Sequence, residues 1–249
     1  MQKYLARLFT LALLTLFLSG CNTTLPKHKI HHKILGDQNY QQPEKVLLLP
    51  FDVAVYELTS GGQKEEVGTW TESARKHIDD ALMNDSHNMS GFRFMRMPDL
   101  TGEEQQAVDQ HLSLFDVLAG NVIIYTRFPS AAWAHKTRKF DYTLGPGLSF
   151  LREKTGADTA FIIYAEDTIS SSGRMAAFIF AAAFGVAIPM GNSFMVGSLV
   201  DLKTGDILWI DYNVDLGSST LREREDVTIL MNSLLKQYPG TDAYKNLPE

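Results

Sequence analysis

Cys21 is the only cysteine of this 249-residue chain and the residue best placed to carry chemistry. It closes the run Leu18-Ser19-Gly20-Cys21, behind Lys3, Arg7 and an uncharged apolar stretch over residues 8–17. A basic start, a short apolar segment and small residues before a cut have the form of a secretory signal. The stretch falls well short of the roughly 20 residues a membrane-spanning helix needs. With a single thiol, no internal disulfide can form. The other candidate groups do not assemble into a catalytic pattern. Glu166 and Asp167 are adjacent on a predicted strand, so their carboxylates point to opposite faces and cannot work as a pair. Asp201 precedes a tight turn, where aspartate accepts backbone hydrogen bonds. Asp79 and Asp80 fall on a predicted helix, on its solvated face. His111 sits on an apolar helical stripe, which favours a packed, hydrogen-bonded imidazole over a ligand or a base. His28, His31 and His32 could bind a metal, but a site needs fixed geometry and more ligands, so a solvated basic spacer is favoured. There is no Gly-x-Ser-x-Gly elbow, P-loop, dinucleotide fingerprint or His-Glu-x-x-His helix. The expectation is a non-enzymatic protein with no catalytic residues, no metal and no cofactor.

Leu18-Ser19-Gly20-Cys21 resembles the lipobox of bacterial lipoproteins. The resemblance implies cleavage between Gly20 and Cys21, a diacylated Cys21 thiol, and Cys21 as the new N-terminus. Each buried acyl methylene contributes about 0.8 kcal/mol, so two or three chains hold a protein on a bilayer effectively for good. In lipoproteins of diderm bacteria an aspartate after the cysteine favours retention at the inner membrane. Asn22 therefore fits the outer membrane, with the periplasmic face as the default.

Loss of residues 1–20 removes two cations, Lys3 and Arg7, leaving 229 residues and moving the net charge from -6 to -8. An acidic body argues against nucleic acid as a partner. A hydrophobic fraction of 45% is that of a folding chain, and its length suits one large domain. Residues 1–20 read as the signal, 21–44 as a lipidated flexible tether, 45–238 as a single α/β periplasmic domain, and 239–249 as a polar tail.

The elements that position these groups follow from periodicity. Residues 46–49 form a continuous apolar run, suited to a strand buried on both faces. Pro50 cannot donate to a ladder, so the strand changes partner or becomes an edge there. Thr69 with Glu72 fits a capping box before Ala74, Ile78, Ala81 and Leu82 at helical spacing. Residues 92–97 read as a short strand. Thr101 with Glu104 repeats the box ahead of Val108, His111, Leu112 and Phe115. Residues 117–128 fit either a longer helix or a strand, and Trp133, Lys136, Arg138 and Lys139 form a small basic-aromatic loop. A short helix through Leu148 and Leu151 stops at Gly156, and residues 157–165 make a central strand. Residues 194–202 and 207–214 pair around Lys203-Thr204-Gly205-Asp206, a hairpin turn. Ser219, Thr220 and Glu223 are placed to start a last helix that faces Val227, Leu230, Met231 and Leu234 inward.

The first strand Val-Leu-Leu-Leu-Pro-Phe, the strand led by Gly156-Ala157-Asp158, and the hairpin containing Asp201, Gly205 and Trp209 together resemble the superfamily of the curli secretion-channel lipoproteins. It includes lipoprotein activators of peptidoglycan synthases and the N-terminal domain of the Tol-system propeller protein. The resemblance covers residues 45–235. It implies an α/β (α+β) domain with a mixed sheet of four to five strands, helices packed on it and a C-terminal helix. The function it implies is a non-enzymatic binding or assembly module of an envelope complex, in secretion or cell-wall machinery. The alternative is an oligomeric export pore. Partners would be the lipid bilayer, other envelope proteins or further copies of the chain.

Residues 175–190 depart from the channel formers. A barrel hairpin must alternate apolar and polar residues, and this segment, rich in Ala and Phe, does not. Pro189 breaks its end, and it is short for a membrane span. Burial in the core or a subunit contact is favoured over membrane insertion. Phe178, Phe180, Phe184 and Ile188 are the candidate apolar contact patch.

Overall fold

The computed structural model describes residues 29–34, 37, 40, 41, 43–85, 93–236 and 238. Gly20, Cys21, Asn22 and His28 lie outside these residues, as do the signal and the tail beyond Tyr238. Among the described residues eight strands form one mixed sheet: β1 (Lys29–Ile30), β2 (Lys45–Leu48), β3 (Asp52–Leu58), β4 (Lys64–Glu66), β5 (Arg93–Arg96), β6 (Thr159–Ser170), β7 (Ser193–Asp201) and β8 (Ile207–Asp215). The helices are α1 (Gly68–Asp80), α2 (Gly102–Arg127), α3 (Ala134–Arg138), α4 (Ser149–Thr155), α5 (Ser172–Ala183) and α6 (Arg224–Leu235). The class is the mixed α/β one, with more strands than the four to five expected.

The sheet runs β1-β8-β7-β6-β2-β5, with β3 also lying beside β6 and carrying β4 on its outer side. β6, β7 and β8 form an antiparallel meander, whereas β2 and β3 both run parallel to β6. The switch occurs at Pro50. Leu48 lies opposite Phe161 and Asp52 opposite Tyr164, so four residues of the first segment span three of β6. Across that irregularity the outer partner changes from β5 to β4. A residue without an N–H stands where the ladder would otherwise have to continue.

Both faces of the sheet are covered, which is why its central strands read as unbroken apolar runs. Phe161, Ile163 and Ala165 of β6 face Ala74 and Ile78 of α1 and Val227, Met231 and Leu234 of α6. Ala160 and Ile162 face the other way, onto Val108, Phe115 and Val122 of α2 and Leu151 of α4. The ambiguous stretch 117–128 is helix, because Ala119 and Val122 continue the buried stripe set by Val108 and Phe115. α1 ends in a π turn over Ala81–Asp85 that keeps Ala81 and Leu82 in the core.

Helix starts differ from the expected boxes. α1 begins at Gly68 with Val67 as N-cap, so Thr69 falls inside the helix rather than capping it; the Thr71 hydroxyl accepts from the Val55 amide at 2.9 Å, tying the helix to β3. Thr101 is the N-cap of α2 but makes no side-chain cap bond. α6 begins at Arg224, after Ser219 and Thr220 have been drawn into other bonds.

The hairpin between β7 and β8 matches its sequence pattern. Asp201 Oδ1 accepts from the Lys203 and Thr204 amides at 2.7 and 3.0 Å, and Gly205 takes φ +75°. A Cβ on Gly205 would lie 1.9 Å from the Gly145 carbonyl oxygen. Gly205→Ala is therefore expected to lower the unfolding free energy by about 1–3 kcal/mol, read from urea titration.

Residues 29–34, which the sequence placed within the segment 21–44, pack on the body. Lys29 and Ile30 pair with Ile210 and Trp209 of β8, and the His31 amide donates to the Leu208 carbonyl at 2.8 Å. His31 is buried, and its Nδ1 accepts from the Lys33 amide at 3.2 Å, which requires that nitrogen to be unprotonated. Burial holds the His31 imidazole below its ordinary pKa; Asp206 opposes this, and His32 and Lys33 reinforce it. A depressed folded value means that docking is complete above the unfolded pKa near 6.5 and weakens as pH falls below it. Amide exchange at Ile30 and His31, corrected for intrinsic rates, is expected to show lower protection at pH 5 than at pH 7.5. Protection that does not change between those values would contradict this assignment.

Candidate functional site

The end of the sheet formed by Ser170, Ser193 and Asp215 carries an excursion whose side chains the core does not use. β6 ends at Ser170, and the Ser171 amide donates to the Leu58 carbonyl of β3 at 3.0 Å. The Ser171 hydroxyl then caps α5 by accepting from the Arg174 amide at 3.1 Å. α5 has no buried residue. Ile179, Phe180 and Phe184 are 68%, 70% and 71% exposed, Phe178 is less so, and the Phe180 and Phe184 rings lie 5.0 Å apart.

Burial in the core, one half of the favoured expectation for this segment, is thus corrected. Among the described residues its side chains find no facing helix or sheet that buries them. The helix also stops earlier than Pro189. Gly185 takes φ +73°, the Val186 amide donates to the Ala181 carbonyl, and the Gly185 amide donates to that of Ala182. These two bonds form a Schellman cap that satisfies the last turn. Ile188 is half-buried on the returning segment rather than on the helix. Arg174 closes the excursion at its root, donating from Nε and Nη2 to the Pro189 carbonyl at 3.1 and 2.7 Å.

Beside that root lies a cleft of about 460 Å³ lined by Asp167, Ser170, Met175, Met190, Ser193 and Thr220 among others. Its buried carboxylate serves as a structural tie. Asp167 accepts from the Ser193 hydroxyl at 2.7 Å, the Thr220 hydroxyl at 2.8 Å and the Leu221 amide at 2.8 Å, joining β6, β7 and the approach to α6. Glu166 points to the opposite face and pairs with Lys64. Asp215 organises the 217–219 turn. Burial would raise its pKa, but hydrogen bonds from Ser218, Ser219 and Gly217 outweigh this and hold it below the ordinary carboxylate value.

The remaining candidates are also structurally occupied. His111 Nδ1 lies 2.6 Å from the Ala107 carbonyl, and its ring packs against Gly147. Asp79 is paired with Arg96 rather than simply solvated. Lys136 pairs with Asp141 and sits 4.3 Å from the Tyr142 ring centroid, while Lys139 lies 3.8 Å from Asp141. Two of the loop's cations thus share one carboxylate, Asp141. Among the described residues, no group of three or more His, Cys, Asp or Glu side chains could hold a metal, and no helix is long and apolar enough to cross a membrane.

A second apolar surface escaped the sequence reading. Leu114, Val117, Ile124 and Phe128 are exposed along α2, opposite its buried stripe. Their spacing of three, seven and four residues is a helical face. It becomes visible only once residues 117–128 are known to continue the helix.

No family model matches the chain, and no curated protein matches it. Solved structures with a related course of the chain include a PelC dodecamer from Paraburkholderia phytofirmans, at 10% identity, 79% of this chain, 89% of that chain and a TM-score of 0.34. The lipoprotein GNA1162 from Neisseria meningitidis gives 12% identity, 78% and 96% coverage and a TM-score of 0.30. The LpoB C-terminal domain from Salmonella enterica gives 14%, 73% and 89%, with a TM-score of 0.24. Identities of 14% or less with TM-scores of 0.34 or less assign this chain to no family.

Proposed function

We propose that the chain is an outer-membrane lipoprotein, acylated on Cys21 and facing the periplasm. In this reading its α/β body works without catalysis, as a binding or assembly module of a cell-envelope complex in secretion or cell-wall machinery. The observation that carries it is Leu18-Ser19-Gly20-Cys21 placed directly behind a signal-like segment. Two features of the body support it. Asp167, the buried carboxylate beside the cleft, is consumed by hydrogen bonds within the fold. The body's uncommitted surface is apolar, on α2 and α5, as expected of a protein that works by contact.

The test is to place a photocrosslinking residue at Val117 or Ile124 in the full chain, in cells. The expected result is a discrete adduct with another envelope protein at either position. Absence of adducts at both, with normal amounts of membrane-bound chain, would overturn the assembly reading.

A further inference from the structure

We propose that α5 and residues 184–188 lie in the headgroup region of the same leaflet that receives the acyl chains of Cys21. The body would then be held at two points, with the Ser170–Asp215 end of its sheet against the lipid. This rests on the reading of Cys21 as lipidated and adds an orientation to it.

The first argument is the direction of the chain. β1 is antiparallel to β8, with Ile30 opposite Trp209 and Lys29 opposite Ile210. Moving backward along β1 therefore moves forward along β8, toward Asp215. Asp215 pairs with Ser193, which pairs with Asp167, so this is the end from which α5 projects. From Ile210 to Asp215 is about 17 Å at a strand's rise of ~3.4 Å per residue. Cys21 stands eight residues before Lys29, a reach of at most about 28 Å. The sulfur can come level with the root of α5 without the chain reversing direction.

The second argument is chemical. Between Met175 and Met190 no side chain is charged and none can donate a strong hydrogen bond. A protein–protein interface ordinarily carries about one hydrogen bond per 100–200 Å², and this surface offers no polar side chain for one. Lipid demands none. It demands instead that backbone groups be satisfied internally, which the Schellman cap does for the last turn of α5. Arg174, the last cation before the segment, is held back at the root by the Pro189 carbonyl.

The third argument is length. Twelve residues of helix span about 18 Å, too little for a hydrocarbon core of ~30 Å. α5 would therefore enter one leaflet only and not cross the bilayer.

The experiment uses the full acylated chain in vesicles of phosphatidylethanolamine and phosphatidylglycerol. Phe184→Cys is spin-labelled, since acylation leaves no other free thiol, and Ile229→Cys on α6, 61% exposed, serves as the remote control. Collision rates with oxygen, which concentrates in lipid, are compared with those of a water-soluble nickel chelate. The ratio at position 184 is expected to exceed that at 229 several-fold. Adding Phe180→Asp should return it to the aqueous value without changing the melting temperature, because α5 buries nothing; Ile179→Ser serves if that variant folds poorly. Equal ratios at 184 and 229 on vesicle-bound chain would overturn the proposal and leave the lipoprotein reading standing. A label at 184 shielded from both reagents would overturn it in favour of a covering protein surface or second copy. A chain that takes up no fatty acid and floats free of vesicles would end the lipoprotein reading, and this proposal with it.

Discussion

Cys21→Ser is expected to abolish fatty-acid incorporation completely. Cells given labelled palmitate should show a strong band for the native chain and none above background for the variant. The size of the effect follows from the chemistry. The chain has a single thiol, so no second sulfur can accept the lipid. At about 0.8 kcal/mol per buried methylene, two acyl chains give stable anchoring, whereas α5 alone would give a weak and reversible contact. The body without residues 1–21, exported behind an ordinary cleavable signal, should therefore fractionate as soluble protein. Equal labelling of the serine variant would remove the basis of the assignment.

Trp209→Ala is expected to lower the unfolding free energy by about 3–5 kcal/mol, a large share of what a domain of this kind possesses. Trp209 is fully buried on β8, 6.2 Å between ring centroids from Phe161 and 5.2 Å from Tyr238. Those rings come from the central strand and from beyond α6, so the indole joins distant parts of the chain. It also sits opposite Ile30 on β1, and protection of Ile30 from amide exchange should fall along with global stability. Urea titration measures the first effect. A loss below 1 kcal/mol would mean that the core closes around the gap or that these rings do not meet as described.

Much of the sheet was legible because its signals are local. The alternating and continuous apolar runs of β6, β7 and β8, the turn at Asp201 and Gly205, and the partner switch at Pro50 all follow from side-chain periodicity or from a missing N–H. β4 was not legible. Lys64-Glu65-Glu66 is exposed and polar throughout, and it becomes a strand only because β3 presents an edge to it. β1 was hidden for a related reason, since two residues carry no period and basic neighbours made the stretch read as spacer. The caps failed differently. α1 starts at Gly68, one residue ahead of Thr69, with Val67 as its N-cap, and the Ser219 amide is taken by Asp215, a turn bond that overrides a local motif.

The exposed apolar face of α5 was half legible. Residues 175–190 announced themselves by composition, and Phe178, Phe180 and Phe184 are indeed exposed, but composition cannot separate a core helix from an unpartnered one. That distinction is tertiary: the other helices already cover both faces of the sheet, so α5 finds no face of the sheet left to pack on. Ile188 was grouped with the helix because Pro189 looked like its end. Gly185 in fact ends it, which only the cap geometry reveals.

The most direct measurement is the mass of the N-terminal peptide of the chain purified from its native membrane. The account predicts a peptide that begins at Cys21 and carries a thioether-linked diacylglyceryl group. A peptide beginning at Met1, or one beginning at Cys21 with a free thiol, would contradict it.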